Sequence, residues 1–179
     1  MVVSPTKSKP TTKQRNRRRG DPYVYLAHPI DKMASEARAT KAVNLGVKRV
    51  LWACERIGLP VFRPAQAWTV GPQATPTSAI RAVNCAAVDH AAALVAVVHP
   101  AVPTWGVPSE IERAIAAGTP VLVILAGQDD PTWAMLYLED EAETWLLDAT
   151  EIDDIVDWLE PRLKRYARPV RPLPPELDN

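Results

Sequence analysis

The residue types best suited to chemistry are concentrated in Thr104-Trp105-Gly106-Val107-Pro108-Ser109-Glu110. This segment separates a continuous apolar run, Leu94 to Val98, from an Ala-rich stretch that closes at Gly118. That order predicts a buried strand, a turn and a helix with Pro108 at its first position, where a missing N–H costs nothing. Glu110 is then the third helical residue. Exposed N–H groups and the helix dipole favour an ionised carboxylate there. Such a carboxylate at a sheet edge can attack an electrophilic carbon or stabilise positive charge. A Glu near a helix start also serves as a cap, so position alone leaves both roles open.

Two further constellations accompany it. Tyr23 and Tyr25 lie two apart on a short apolar run ended by His28-Pro29, so both tyrosines face the same way. Either can sit beneath a ligand and donate its hydroxyl to a carboxylate, or simply fill the core. Asn84, Cys85, Asp89 and His90 fall on an Ala-rich helical stretch. Cys85 and Asp89 are four apart and share a helix face. Asn84 or Asp89 can hydrogen-bond a sugar hydroxyl if that helix leans over the sheet edge. A solvent-facing polar stripe explains the same residues.

The elements that position these groups follow from the apolar pattern. Tyr23 to Ala27 reads as a first strand, residues 33–58 as a long helix stopped at Gly58 and Pro60, and Leu59 to Phe62 as a second strand. Residues 64–77 read as a loop, Ser78 to about Ala92 as a second helix, and Leu94 to Val98 as a strand buried on both faces. After the helix that Gly118 closes, Pro120 to Ala126 is another buried strand, Thr144 to Leu147 a weaker one, and Thr150 caps a helix over Glu151 to Arg165. Alternating strands and helices predict an α/β fold: a doubly wound, mostly parallel sheet of about five strands with helices on both faces, Rossmann-like or flavodoxin-like. Ligands bind such sheets beyond the carboxyl ends of the strands. The loops after Ala27, Phe62, Val98 and Ala126 are therefore the ones that matter.

Composition sets the outer limits. The 179 residues suit one domain, expected over residues 21–166. Residues 1–20 form a basic tail with seven Lys or Arg and no acid, and residues 167–179 form a Pro-rich tail. The basic tail carries too little apolar surface to fold alone. It reads as a solvated leader or as a contact to nucleic-acid phosphates. No stretch approaches the roughly 20 apolar residues of a membrane span, and no signal peptide is evident, so a soluble cytoplasmic protein is expected. Cys54 and Cys85 lie in apolar helical segments and read as buried reduced thiols. No metal-ligand spacing links His28, His90 and His99 to the cysteines, so neither a metal nor a cofactor is expected. A P-loop, a GxGxxG fingerprint and a GxSxG elbow are all missing from the sequence, which disfavours ATPase and dehydrogenase readings.

Taken in order, these segments resemble the nucleoside 2-deoxyribosyltransferase-like superfamily of deoxyribosyltransferases and 2′-deoxynucleoside 5′-monophosphate N-glycosidases. The resemblance rests on Val24-Tyr25-Leu26-Ala27-His28-Pro29-Ile30, on Leu94 to Val98, on Gly106-Val107-Pro108-Ser109-Glu110-Ile111-Glu112-Arg113-Ala114, and on Gly118-Thr119-Pro120-Val121. It spans residues 23–126. It implies that Glu110 attacks C1′ of a deoxyribosyl group and that Tyr25 orients Glu110. It also implies substrate contacts from His28, Thr104, Gly106 and Ser109, with Trp68 and Trp105 available to stack on the base. A homo-oligomer with sites shared between neighbours is implied as well. The chain departs from the pattern at two places. Pro108 stands where the family has a second Gly before the Glu. Asn84 or Cys85 falls where the family has a sugar-binding Asp, with Asp89 one turn later. Cleavage of an N-glycosidic bond, by hydrolysis or base transfer, is the leading expectation. A non-catalytic nucleotide-binding module on the same fold, favoured by the altered Asp position, is the alternative. A nucleic-acid-associated protein working through residues 1–20 is a third.

Overall fold

The apolar runs that lack polar alternation become the inner strands of one sheet. The structure is a computed structural model that describes residues 21–29, 37–64, 77–99, 101–102, 106–126, 143–147 and 154–167. Its elements are β1 (Val24–Ala27), α1 (Ala37–Arg56), β2 (Val61–Phe62), α2 (Thr77–His90), β3 (Ala93–Val98), α3 (Gly106–Ala117), β4 (Val121–Ala126), β5 (Glu143–Leu147) and α4 (Asp154–Ala167). The strands form a five-stranded sheet in the order β2-β1-β3-β4-β5. Every pairing is parallel. This is the expected doubly wound architecture. The expectations for the tails, for Trp68, Thr104 and Trp105, and for the Thr150 cap lie outside the described residues.

Alternation along each strand divides the core into two layers. Val24 and Leu26 of β1, Val95 and Val97 of β3, and Leu122 and Ile124 of β4 pack against α1 and α4. Tyr25, Ala27, Leu94, Ala96, Val123 and Leu125 pack against α2 and α3. Both faces of β1, β3 and β4 are thus covered, which is why these strands read as unbroken apolar runs. On α1 the buried residues are Ala39, Val43, Gly46, Val47, Val50, Ala53 and Cys54, the three-and-four spacing of one helical face. Gly46 belongs to that face by necessity: a Cβ there would lie 2.9 Å from Cγ1 of Val97.

Two helix ends follow directly from their glycines. Gly58 and Gly118 adopt φ of 69° and 66°, a region that residues with a Cβ rarely enter. Behind Gly58, its own N–H bonds Glu55 O at 3.1 Å and the Leu59 N–H bonds Cys54 O at 2.9 Å. Behind Gly118, the equivalent bonds run to Ile115 O at 3.0 Å and from Thr119 to Ala114 O at 2.8 Å. Both ends are Schellman caps that satisfy the last carbonyls and turn the chain into the next strand.

The strand order locates the crevice. The chain goes from β1 outward to β2, then returns across β1 to β3. Connections leaving β1 and β3 therefore diverge, and a gap opens between their carboxyl ends. Each helix joins the carboxyl end of one strand to the amino end of the next, so the N-termini of α2 and α3 lie at that same edge. No described helix is long and apolar enough to cross a membrane.

Candidate active site

Tyr25 of β1 and Tyr23 just before it both face the layer beneath α2 and α3, and they take different partners. Tyr23 donates its hydroxyl to Ala87 O of α2 at 2.7 Å. Tyr25, fully buried, stacks on Phe62 with ring centroids 5.5 Å apart and planes 24° apart. Its hydroxyl donates to Oε1 of Glu110 at 2.6 Å. The pair bridges β1 and α3 at the divergence between β1 and β3, 85 residues apart in sequence.

Glu110 stands differently from its expected place. The helix begins at Gly106, so Glu110 is its fifth residue rather than its third. The reason is that Pro108 fits anywhere in a first turn, since none of those N–H groups has an intrahelical partner. It marks a helix start without fixing the first residue. Glu110 therefore lies past the free N–H groups, and capping does not account for it. Its charge balance is also the reverse of that expected. Burial pushes its carboxyl from 4.5 up to about 7, and the Tyr25 hydroxyl bond opposes that rise. Burial and the neighbouring carboxylate both drive the Tyr25 hydroxyl upward, so it stays protonated as a donor. Near neutrality Glu110 exists in both forms. It can act as a nucleophile when ionised or carry a proton when not.

The other expected residues divide. On α2, Asn84 lies one turn ahead of buried Ala87 and Val88 and in line with buried Ala91, on the sheet-facing stripe. Its Oδ1 is buried without a hydrogen-bond partner. Tyr23 meets α2 at Ala87, so Asn84, three residues nearer the carboxyl edge, lies on the Tyr25 side of that contact. Cys85 is half-buried rather than buried, and is close enough to interact electrostatically with Tyr25 and Arg113. Asp89 lies toward the opposite end of α2, where both its carboxylate oxygens accept from Arg113 of α3. That pairing holds its carboxyl below the usual range. Gly106 opens α3 with free space where a Cβ would stand, so packing does not demand glycine there. Ser109 is on the exposed side of the first turn. Thr104 lies outside the described residues.

His28 follows β1 at the carboxyl edge. Its Nδ1 lies 3.0 Å from Pro29 O, and its Nε2 is buried with no partner. Burial lowers its pKa, and the nearby charge of Arg63 lowers it further. Arg63 was not singled out in the sequence. It follows β2 directly, is half-buried, and leaves Nε unpartnered. The available signal was a cation in the loop after Phe62, at the ligand edge. Phe62, which fixes the Tyr25 ring, was equally silent because it reads as core. Among the described residues no group of three or more His, Cys, Asp or Glu is arranged to hold a metal.

Comparison with known proteins adds the fold's relatives. No protein-family model matches the chain, and no curated protein matches it in sequence. Among solved structures, 2-deoxyribosyltransferase from Bacillus psychrosaccharolyticus superposes with a TM-score of 0.56 at 14% identity, over 75% of this chain and 90% of that one. The CMP N-glycosidase BcmB of Clostridium botulinum superposes with a TM-score of 0.50 at 16% identity, over 77% of this chain and 98% of that one. Both belong to the superfamily that the sequence resembles, and this chain shares their fold.

Proposed function

We propose that this chain cleaves the N-glycosidic bond of a deoxynucleoside or deoxynucleoside 5′-monophosphate, with Glu110 as nucleophile. The observation that carries the reading is the 2.6 Å bond from Tyr25 to Glu110, placed in the crevice between β1 and β3. One carboxylate oxygen is held by Tyr25 and the other is left to react. That oxygen bonds to C1′ as the C1′–N bond breaks. The bonding pair leaves with the base nitrogen, which then takes up a proton. Water or a second base next displaces Glu110 from C1′, restoring the carboxylate with net retention. Tyr25 orients the nucleophile and moderates its charge. Asn84 is the residue assigned to the sugar hydroxyl, because Arg113 already occupies both oxygens of Asp89. His28, Gly106, Ser109 and Thr104 are assigned to the remainder of the substrate, with Arg63 beside His28. A cytoplasmic location and a homo-oligomeric state are part of the same reading, and sedimentation of the purified chain tests the oligomeric state.

Mass-spectrometric product analysis over a mixture of deoxynucleosides and deoxynucleotides tests the activity. Free base released by the wild type and absent with Glu110→Ala supports the assignment. Release that persists in Glu110→Ala removes Glu110 as nucleophile. The alternative, a nucleotide-binding module without chemistry, draws on Asn84 or Cys85 standing where the family carries an Asp. Calorimetric nucleotide binding with no base released selects it.

A further inference from the structure

The charge of this chain is segregated by sequence. Thirteen basic and four acidic residues precede Ile57, while eight basic and seventeen acidic residues follow Arg56. Part of the excess lies in residues 1–20. A second positive segment is α1, which carries five basic residues and one acid, Glu55. The inward stripe of that helix is apolar, so its charges are confined to the side facing away from the sheet. Lys41, Lys48 and Trp52 are exposed along one line of that side, with Arg38 on its flank. Lys41 and Lys48 are separated by about two turns, or roughly 10 Å. None of Arg38, Lys41 and Lys48 forms an ion pair among the described residues. Trp52 is 45% exposed, although an indole of that size is normally drawn inside. The guanidinium groups of Arg49 and Arg56 lie 5.8 and 5.0 Å from its ring centroid, and Arg56 is itself tied to Glu160 of α4 at 2.7 Å. The exposed indole is thus flanked by two guanidinium groups.

We propose that the outward face of α1 binds single-stranded nucleic acid. Arg38, Lys41 and Lys48 would meet phosphates, and Trp52 would stack on a base. Cations interleaved with an exposed aromatic are the combination by which single strands are held without sequence preference. An anionic lipid surface offers the same negative charge. It also requires an apolar helix face to insert, and the apolar face of α1 is spent on the sheet. Trp52 is the single large apolar side chain exposed on this helix. The surface lies across the sheet from Tyr25 and Glu110, since α1 packs on the opposite layer. A strand bound there leaves the crevice open, so this inference stands or falls apart from the proposed activity.

The test uses the full chain and a fluorescein-labelled 20-nucleotide oligo(dT), with anisotropy measured at several salt concentrations. Each phosphate contact on a single strand contributes about −0.7 to the slope of log K against log salt. R38A/K41A/K48A should therefore flatten that slope by about 2. Base stacking contributes about 1–3 kcal/mol, so W52A should weaken binding by about 5- to 150-fold with the slope unchanged, and W52F should recover most of the loss. Circular dichroism verifies that the variants fold. Unaltered affinity and slope in the triple variant overturn the proposal, and assign any binding to residues 1–20. Binding to phosphatidylserine vesicles with none to the oligonucleotide overturns it in favour of a membrane surface.

Discussion

Replacing Tyr25 by Phe removes one oxygen from the candidate site and leaves the ring that stacks on Phe62. The hydroxyl is the influence that opposes the burial-driven rise of Glu110 to about 7. A hydrogen bond to a charged acceptor contributes about 1.5–3 kcal/mol. Part of that is retained when the carboxyl is protonated, so only the difference acts on its titration. With about 1.4 kcal/mol per pH unit, losing the bond should raise the titration of Glu110 by about 1–2 units. The direction is upward because the anion loses more than the acid does. The titration can be followed directly by NMR of Glu labelled with 13C at Cδ, with Glu110→Gln identifying the resonance. In an activity assay, the acid limb of kcat/KM for base release should move to higher pH by the same interval. A wild-type Glu110 that titrates near 4.5 would refute the burial argument. An unshifted or lowered titration in Tyr25→Phe would refute the role given to the hydroxyl.

The raised carboxyl also has a consequence for stability. A carboxyl titrating at about 7 when folded and near 4.5 when unfolded holds its proton more tightly in the native state. The contribution of Glu110 to stability is greatest below pH 4.5 and is lost as pH rises through 7. Glu110→Gln should match the wild type at pH 4 and exceed it by about 3 kcal/mol at pH 8 in urea unfolding; equal stability at both would contradict it. For the sugar contact, Asn84→Ala should impair base release far more than Asp89→Ala, since the Asp89 carboxylate is engaged by Arg113; the reverse order in kcat/KM would reassign the contact. Gly46→Ala sets a helix-propensity gain of about 1 kcal/mol against overpacking of about 1–3 kcal/mol on the stiff Val97 side chain. A net loss of up to about 2 kcal/mol is expected by denaturant titration, and a stabilised variant would show that β3 yields.

The sequence by itself determined the fold class, because the signals that define it are local. Leu94 to Val98 and Val121 to Ala126 carry no polar alternation since both faces are covered, and that is visible in one dimension. Gly58 and Gly118 announce their helix ends because few other residues tolerate their backbone angles. The edge strand β2 is shorter than expected, two residues against four, because half-buried Val61 and Phe62 give no period to read. Pro108 announced a helix without fixing its first residue. The tertiary structure alone decided the partnerships. Tyr23 and Tyr25 share a face and a residue type, and only the packing of α2 and α3 sends one hydroxyl to a backbone carbonyl and the other to Glu110. The same packing paired Asp89 with Arg113 and brought Arg63 beside His28. It also reversed the electrostatic expectation for Glu110. A helix start favours the anion, but depth of burial is a property of the assembled layers, and at this site burial is the larger effect.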